Sequence, residues 1–222
     1  MKITVSKEIA SLVPYPPGKP IEELERELGI KGSIKLASNE NPFGPSRKAV
    51  AAIAAALANL HRYPDGSCFY LKEKLSKFLG VSPDMLIIGN GSNEIIELVI
   101  KACLKPGDEA VMAVPSFAVY PIAVSACAGK AVTVPLKDFR HDLEAMATAI
   151  GPRTRLVFIA NPNNPTGTMV TDNALSRFLK AVPDDVIVCV DEAYYEFAQN
   201  PGFPKTLEHV KRREKAVLLL RT

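Results

Sequence analysis

From residue 86 onward, short apolar runs alternate with longer segments of helical spacing. We interpret the apolar runs as strands at residues 86–88, 110–114, 131–134, 156–160, 186–190 and 216–220. Between them, helical spacing predicts helices at 93–104, 119–126, 141–149 and 171–180. Strands that are apolar throughout are typical of a parallel sheet covered on both faces. The pattern therefore predicts a three-layer α/β fold, with helices on both sides of a mostly parallel, mixed sheet.

The first 85 residues are less regular. Prolines at positions 14, 16, 17 and 20 argue against a regular helix in residues 1–20, which we interpret as an arm. Residues 21–28 have helical spacing and stop at Gly29, a residue suited to a helix C-terminus. A short strand is predicted at 33–37, and helices near 46–58 and 68–79. We expect the arm and a short helix over 1–35 and one large domain over 36–222.

Composition and charge limit the classes of function. Hydrophobic residues make up 47% of the chain, and 27 basic against 24 acidic residues give a net charge of +3. This balance argues against a nucleic-acid partner, and the basic cluster at 211–213 reads as a solvated helix face. The four cysteines lack zinc-site spacing, so we expect no metal and reduced thiols, as in the cytoplasm. No apolar stretch is long enough to predict a membrane span.

Two of the predicted strands are followed by candidate binding features. Residues 89–93 read Gly-Asn-Gly-Ser-Asn and join a strand to a helix. Gly91 lets the backbone approach an anion, and the helix start with Ser92 or Asn93 could bind a phosphate. A plain capped turn is the alternative. Phe117 and Tyr120 follow the strand at 110–114, where an aromatic residue is more often part of the core.

The turns after two later strands offer an amide, a carboxylate and a phenol. Residues 161–167 read Asn-Pro-Asn-Asn-Pro-Thr-Gly, and residues 191–194 read Asp-Glu-Ala-Tyr. If the two strands are adjacent, Asn164, Asp191 and Tyr194 meet beyond their carboxyl ends, where such sheets bind ligands. The trio suits a pyridine ring with a phenolic oxygen, as in pyridoxal phosphate. A rigid loop and a helix cap are the structural alternatives, and an ATPase-type magnesium strand is disfavoured because no phosphate loop is present.

Several segments together resemble the pyridoxal-phosphate-dependent aminotransferases of fold type I, and within them the histidinol-phosphate aminotransferases. They are residues 15–24 (Tyr-Pro-Pro-Gly-Lys-Pro-Ile-Glu-Glu-Leu), 35–45 (Lys-Leu-Ala-Ser-Asn-Glu-Asn-Pro-Phe-Gly-Pro), 61–66 (His-Arg-Tyr-Pro-Asp-Gly), 161–167 and 191–194. The last two are widespread in the superfamily and indicate the cofactor. Residues 15–24 and 61–66 narrow the choice of substrate to histidinol phosphate. The resemblance implies the large domain of that fold, in incomplete form.

The resemblance implies a role for each candidate site residue. Asp191 would keep the ring nitrogen protonated, and Asn164 and Tyr194 would bind the phenolic oxygen. Phe117 would stack on the ring. The phosphate would be bound by Gly91, Ser92, Asn93 and Thr222, and by Tyr63 of a second subunit. Tyr15 and Asn39 would touch the substrate. Sharing of Tyr63 implies a homodimer.

The implied reaction moves an amino group from L-histidinol phosphate to 2-oxoglutarate, giving imidazole-acetol phosphate and L-glutamate. The lysine that bonds the cofactor and moves the proton is expected about three residues after Thr222. We therefore expect an N-terminal part of a longer aminotransferase, which does not transaminate alone. Two alternatives stay open: a related decarboxylase of the threonine-phosphate type, and a non-catalytic binding or interaction module of the same fold.

Overall fold

The computed structural model describes residues 4–222. The chain divides into two compact units, one of residues Tyr15–Leu79 and one of residues Gly80–Thr222 together with the chain up to Pro14. The first three residues of the expected arm lie outside the described residues. The boundary expected at residue 35 stays a prediction.

The larger unit is built on one five-stranded sheet. Its strands are β1 (Glu109–Val114), β2 (Lys130–Pro135), β3 (Thr154–Ala160), β4 (Ile187–Asp191) and β5 (Val217–Leu220). They lie in the order β2-β1-β3-β4-β5, and all four pairings are parallel. The carboxyl ends therefore share one edge, and Ala160 of β3 lies opposite Asp191 of β4. The predicted fold class and the adjacency of these two strands are confirmed.

Helices cover both faces of this sheet. In chain order the helices are α1 (Lys7–Ala10), α2 (Ile21–Leu28), α3 (Arg47–Ala56), α4 (Phe69–Leu79), α5 (Gly91–Cys103), α6 (Val119–Ala126), α7 (Leu143–Thr148), α8 (Asp172–Ala181) and α9 (Thr206–Arg212). Short 3-10 turns occupy Leu57–Asn59, Pro83–Met85 and Tyr195–Phe197. Within residues 4–222, no helix is both long and apolar enough to cross a lipid bilayer.

Two separate hydrophobic cores fill the spaces between sheet and helices. Alternate side chains of a strand face opposite sides, so Val157 and Ile159 of β3 enter one core while Phe158 enters the other. Side chains of α7 and α8 complete the first core, and those of α5 and α6 complete the second. Cys189 of β4 is fully buried in the second core, and burial raises the pKa of its thiol.

The unit of residues 15–79 contains α2, α3 and α4, as predicted. The end of α2 follows its sequence signal, because Gly29 adopts a left-handed φ of 66° and its N–H binds the Glu25 carbonyl. The Glu25 side chain also accepts a hydrogen bond from the Ser33 N–H at 2.8 Å. Both contacts fix the point at which the chain leaves the helix.

Three local predictions were wrong. Residues 33–37 and 86–88 form no strand, because neither run finds a ladder partner among residues 4–222. Ile34 and Ile87 are accordingly 86% and 66% exposed. The supposed arm contains one helical turn, α1, which Ser6 caps by accepting a hydrogen bond from the Ile9 N–H at 3.3 Å. It forms because all four prolines of the arm lie after it.

Leu175→Ala should destabilise the larger unit by about 2–5 kcal/mol, because its side chain in α8 is fully buried and its loss leaves a cavity. Leu98→Ala in α5 is the matched control, since Leu98 is 47% exposed, and it should cost about 1 kcal/mol or less. Chemical denaturation of both variants measures the difference. Equal losses would show that α8 does not seal a core.

Candidate active site

The loops at the carboxyl edge of the sheet are tied to one another by backbone hydrogen bonds. The Asn161 N–H, just after β3, donates to the Asp191 carbonyl at 2.8 Å. The Glu192 N–H, just after β4, donates to the Leu220 carbonyl at 2.9 Å. The ends of β3, β4 and β5 therefore keep a fixed spacing, and side chains that follow them are held in defined positions.

Asp191 is a buried carboxylate held by two donors. Asp191 is only 4% exposed. Its Oδ2 accepts a hydrogen bond from the Tyr120 hydroxyl at 2.7 Å, and its Oδ1 accepts one from the Ala193 N–H at 3.1 Å. Burial raises the pKa of Asp191, and the two hydrogen bonds oppose that rise. Within residues 4–222 no cation forms an ion pair with it, so the carboxylate suits a positively charged ligand group.

Tyr120 belongs to this site, although the sequence did not single it out for Asp191. Its fully buried ring stacks on Phe158, with 4.7 Å between centroids, and meets Phe117 edge-on at 5.4 Å. Burial raises the pKa of Tyr120 well above its usual value, so its hydroxyl keeps its proton and donates. The partly buried Phe117 ring is thereby linked to Asp191 through one aromatic residue.

The start of α5 forms a cradle with Thr222. Gly91 has a φ of 74°, and a Cβ on it would stand 3.7 Å from the Thr222 hydroxyl oxygen. Asn90 makes no side-chain cap, while its N–H donates to Glu94 Oε2 at 2.5 Å. The first N–H groups of a helix lack intrahelical partners, so this end offers backbone donors beside a hydroxyl, which suits an anion.

Ser92 and Asn93 lie in the first turn of α5, as expected for anion-binding residues. The Asn93 side chain turns along the helix and donates to Glu97 Oε1 at 3.1 Å. It is therefore the Asn93 backbone N–H, rather than its amide side chain, that is placed to face an anion. Ser92 is half-buried.

Asn163 connects the loop after β3 to the loop after β1. It is 2% exposed; Nδ2 donates to the Pro115 carbonyl at 3.3 Å and to the Thr166 hydroxyl at 2.9 Å. Its Oδ1 accepts from the Ser116 hydroxyl at 2.9 Å. The rigid loop that carries Asn164 is thus fixed by its neighbour, a role that sequence analysis did not assign.

His141 completes this network from the segment before α7. The residue is 7% exposed, and its Nε2 lies 3.2 Å from Asn163 Oδ1. Burial lowers the pKa of His141, while Asn163 and the Ala160 carbonyl oppose that change. A neutral imidazole therefore belongs to the folded state.

The other predicted site residues are not all brought together. Asn164 and Tyr194 lie on the loops after β3 and β4, and both are half-buried. The Tyr194 ring lies 6.5 Å from that of Phe197. Tyr15, Asn39 and Tyr63 belong to the unit of residues 15–79, where the two tyrosines are 56% and 101% exposed. Their roles stay predictions.

Comparison with known proteins gives the family. The family described as aminotransferase class I and II matches residues 31–222. The chain belongs to this aminotransferase family. The resemblance inferred from its motifs, including the link to histidinol-phosphate aminotransferases, is confirmed.

Individual relatives of this aminotransferase-family chain agree. A "Histidinol-phosphate aminotransferase" of Moorella thermoacetica is 53% identical over 214 residues, which are 96% of the chain and 55% of the relative. A "Histidinol-phosphate aminotransferase 2" of Carboxydothermus hydrogenoformans is 50% identical over 216 residues, or 97% of the chain and 60% of the relative. The chain thus spans little more than half the length of these relatives.

A solved structure shares the fold. The histidinol-phosphate aminotransferase of Sinorhizobium meliloti, crystallised in complex with pyridoxal-5'-phosphate, superposes with a TM-score of 0.86 and 30% identity. The match covers 98% of this chain and 58% of that one.

His141 should make the stability of this aminotransferase-family chain depend on pH. In the unfolded chain His141 titrates near its ordinary pKa of 6.5, whereas in the folded chain its pKa is lower. The stability that the neutral His141 contributes is therefore fully present above pH 6.5, and it is lost as the pH drops through the folded pKa. His141→Gln, which cannot titrate, should flatten this dependence in denaturation curves from about pH 7.5 to about pH 5. His209→Gln on α9 is the control. A dependence of equal size in both variants would contradict the assignment.

Proposed function

We propose that the chain forms the ring- and phosphate-binding part of a pyridoxal-phosphate-dependent transaminase. The main support is the arrangement at one sheet edge. The buried carboxylate of Asp191, which has no ion-pair partner among residues 4–222, is found there together with an anion cradle at Gly91 and Thr222. The substrates proposed are L-histidinol phosphate and 2-oxoglutarate, in histidine biosynthesis. Relatives at about 50% identity that carry the name histidinol-phosphate aminotransferase support this choice.

The residues at this edge fit the cofactor. A pyridine ring with a phosphate needs a carboxylate at its nitrogen, donors at its phosphate and an apolar face, and Asp191, the start of α5 and Phe117 are of these kinds. When bound, pyridoxal phosphate supplies an electron sink for the negative charge that develops on the substrate's Cα. The protein's part is to hold and tune it.

Each side chain has a physical task in this proposal. The ionised Asp191 keeps a proton on the ring nitrogen, because a carboxylate stabilises an adjacent cation. Tyr120 fixes the carboxylate by donating to Oδ2 at 2.7 Å. Asn164 and Tyr194 hold the phenolic oxygen. Thr222 and the N–H groups of Ser92 and Asn93 hold the phosphate, because the Gly91 N–H already donates to the Gly89 carbonyl at 3.0 Å.

A homodimer in the cytoplasm is part of the proposal. The unit of residues 15–79 exposes many large apolar side chains, which supports an interface with a second copy. They include Leu36 (96% exposed), Phe43 (95%), Tyr63 (101%), Tyr70 (78%) and Phe78 (81%). Tyr63 of one copy would reach the phosphate of the other, and Tyr15 and Asn39 would contact the substrate.

Pyridoxamine 5'-phosphate should bind residues 1–222, because this form of the cofactor needs no covalent bond to a lysine. Asp191→Asn should weaken binding ~10-fold or more, since a neutral amide does not stabilise a protonated ring. Fluorescence titration measures the dissociation constants. Asp84→Asn, at an exposed aspartate of the same unit, should leave them unchanged. Equal affinity of the parent chain and Asp191→Asn would contradict the proposed role of Asp191.

The reaction can be tested in a chimera of residues 1–222 followed by the remaining C-terminal part of the Moorella relative. With L-histidinol phosphate and 2-oxoglutarate we expect L-glutamate to form, and the same chimera with Asp191→Ala should be much slower. Carbon dioxide release from a phosphorylated amino acid without glutamate would instead indicate the decarboxylase. Tight cofactor binding with neither product would indicate a non-catalytic module.

A further inference from the structure

A second buried carboxylate, Glu192, follows Asp191 and is paired with Arg221. The Glu192 side chain is 0% exposed and that of Arg221 is 27% exposed. Glu192 Oε2 accepts from Arg221 Nη2 at 2.8 Å and from Nε at 3.2 Å. The Arg221 guanidinium carbon also lies 3.6 Å from the centroid of the Tyr195 ring. The guanidinium is therefore fixed by an anion and by an aromatic face.

The pair is next in sequence to a residue of each half of the proposed cofactor site. Glu192 directly follows Asp191 in the sequence, and Arg221 directly precedes Thr222. The Glu192 N–H also donates to the Leu220 carbonyl at 2.9 Å. The ion pair thus reinforces a backbone contact that joins the end of β4 to the end of β5.

Adjacent side chains after β5 make different contacts. Arg221 is held on Glu192 and Tyr195, whereas the Thr222 hydroxyl lies by Gly91 at the start of α5. Arg221 and Thr222 directly follow β5, and successive side chains of a strand point to opposite sides. Fixing the Arg221 side chain on one side therefore directs the next hydroxyl to the other.

The charges support the same division of tasks. Burial raises the pKa of Glu192, and the Arg221 guanidinium, which is hydrogen-bonded to Oε2, opposes that rise. Arg221 pairs with Glu192 through Oε2, while Asp191 has no ion-pair partner within residues 4–222. The negative charge that faces a ligand is thus that of Asp191.

We propose that Glu192 and Arg221 are positioning residues, whose ion pair sets the Thr222 hydroxyl against the start of α5 for a phosphate-bearing ligand. This inference rests on the proposed cofactor site. Arg221 could instead bind the phosphate directly as a cation. In that case, removing Glu192 would change phosphate affinity in the opposite direction. A freed guanidinium would strengthen phosphate binding, whereas a lost positioning contact weakens it.

The test compares pyridoxamine 5'-phosphate with pyridoxamine, which lacks the phosphate. The dissociation constant of pyridoxamine divided by that of pyridoxamine 5'-phosphate, measured on one sample, reports the contribution of the phosphate and does not depend on the fraction of folded protein. Glu192→Gln and Arg221→Gln should each reduce this ratio ~10-fold, as expected for loss of a hydrogen bond to an anion.

The matched control breaks an ion pair at the opposite edge of the sheet. Arg153 Nη2 lies 2.9 Å from Glu109 Oε1, and the Glu109 side chain is 10% exposed. Arg153→Gln should lower the free energy of unfolding without changing the ratio. Denaturation of all three variants separates lost stability from lost positioning.

The outcomes are distinct. A ratio that rises in Glu192→Gln would overturn the positioning role in favour of direct contact, and an unchanged ratio in both variants would overturn it outright. An equal fall in Arg153→Gln would show that the ratio responds to the loss of an ion pair far from the proposed site, and this result would also overturn the positioning role. If the parent chain shows no preference for the phosphate-bearing amine, the proposed cofactor site fails, and this inference fails with it.

Discussion

The hydrogen bond from the Tyr120 hydroxyl to Asp191 joins α6 to the end of β4, which lies between β3 and β5 in the sheet. Burial alone favours the neutral form of that carboxyl group, because a charge is poorly solvated in a protein interior. The Tyr120 hydroxyl and the Ala193 N–H favour the charged form by donating hydrogen bonds to the carboxylate. Tyr120 also contacts the Phe117 ring edge-on, so that a second aromatic ring belongs to the same group of side chains. The remaining contacts at this edge keep these groups in place.

Asn163 illustrates the cost of such an arrangement. A buried amide is unfavourable unless its donors and its acceptor are used, and here Pro115, Ser116, Thr166 and His141 use them. The result is a short loop with little freedom to reorganise when a ligand arrives. Pre-organisation of this kind lowers the entropy that binding must overcome.

Local patterns predicted the parts of the structure that local forces decide. The strands after residue 109 and the helices α6, α7 and α8 follow from their periodicity, whereas periodicity did not predict α9 as a helix. The turns at Gly91, Asn164 and Asp191 follow from glycine, proline and short polar residues. The runs at 33–37 and 86–88 misled because a strand needs a partner, and partners are not encoded within the run itself. Exposure of Ile34 and Ile87 shows that apolar character alone did not fold them.

Long-range contacts were beyond prediction from spacing. Tyr120 meets Asp191 across 71 residues, and Arg221 meets Glu192 across 29. Only the sheet order brings these partners together, and no single motif contains both members of either pair. The sequence could therefore indicate the groups that a ligand would touch, but not the groups that hold them.

Cys189 gives the protein a built-in chemical reporter. Its thiol lies two residues before Asp191 and is fully buried, and its raised pKa keeps it in the unreactive protonated form. A thiol reagent can modify it only when β4 opens locally. The modification rate is therefore a measure of how often the strand carrying Asp191 leaves its place in the sheet, read without any substrate or spectroscopic label.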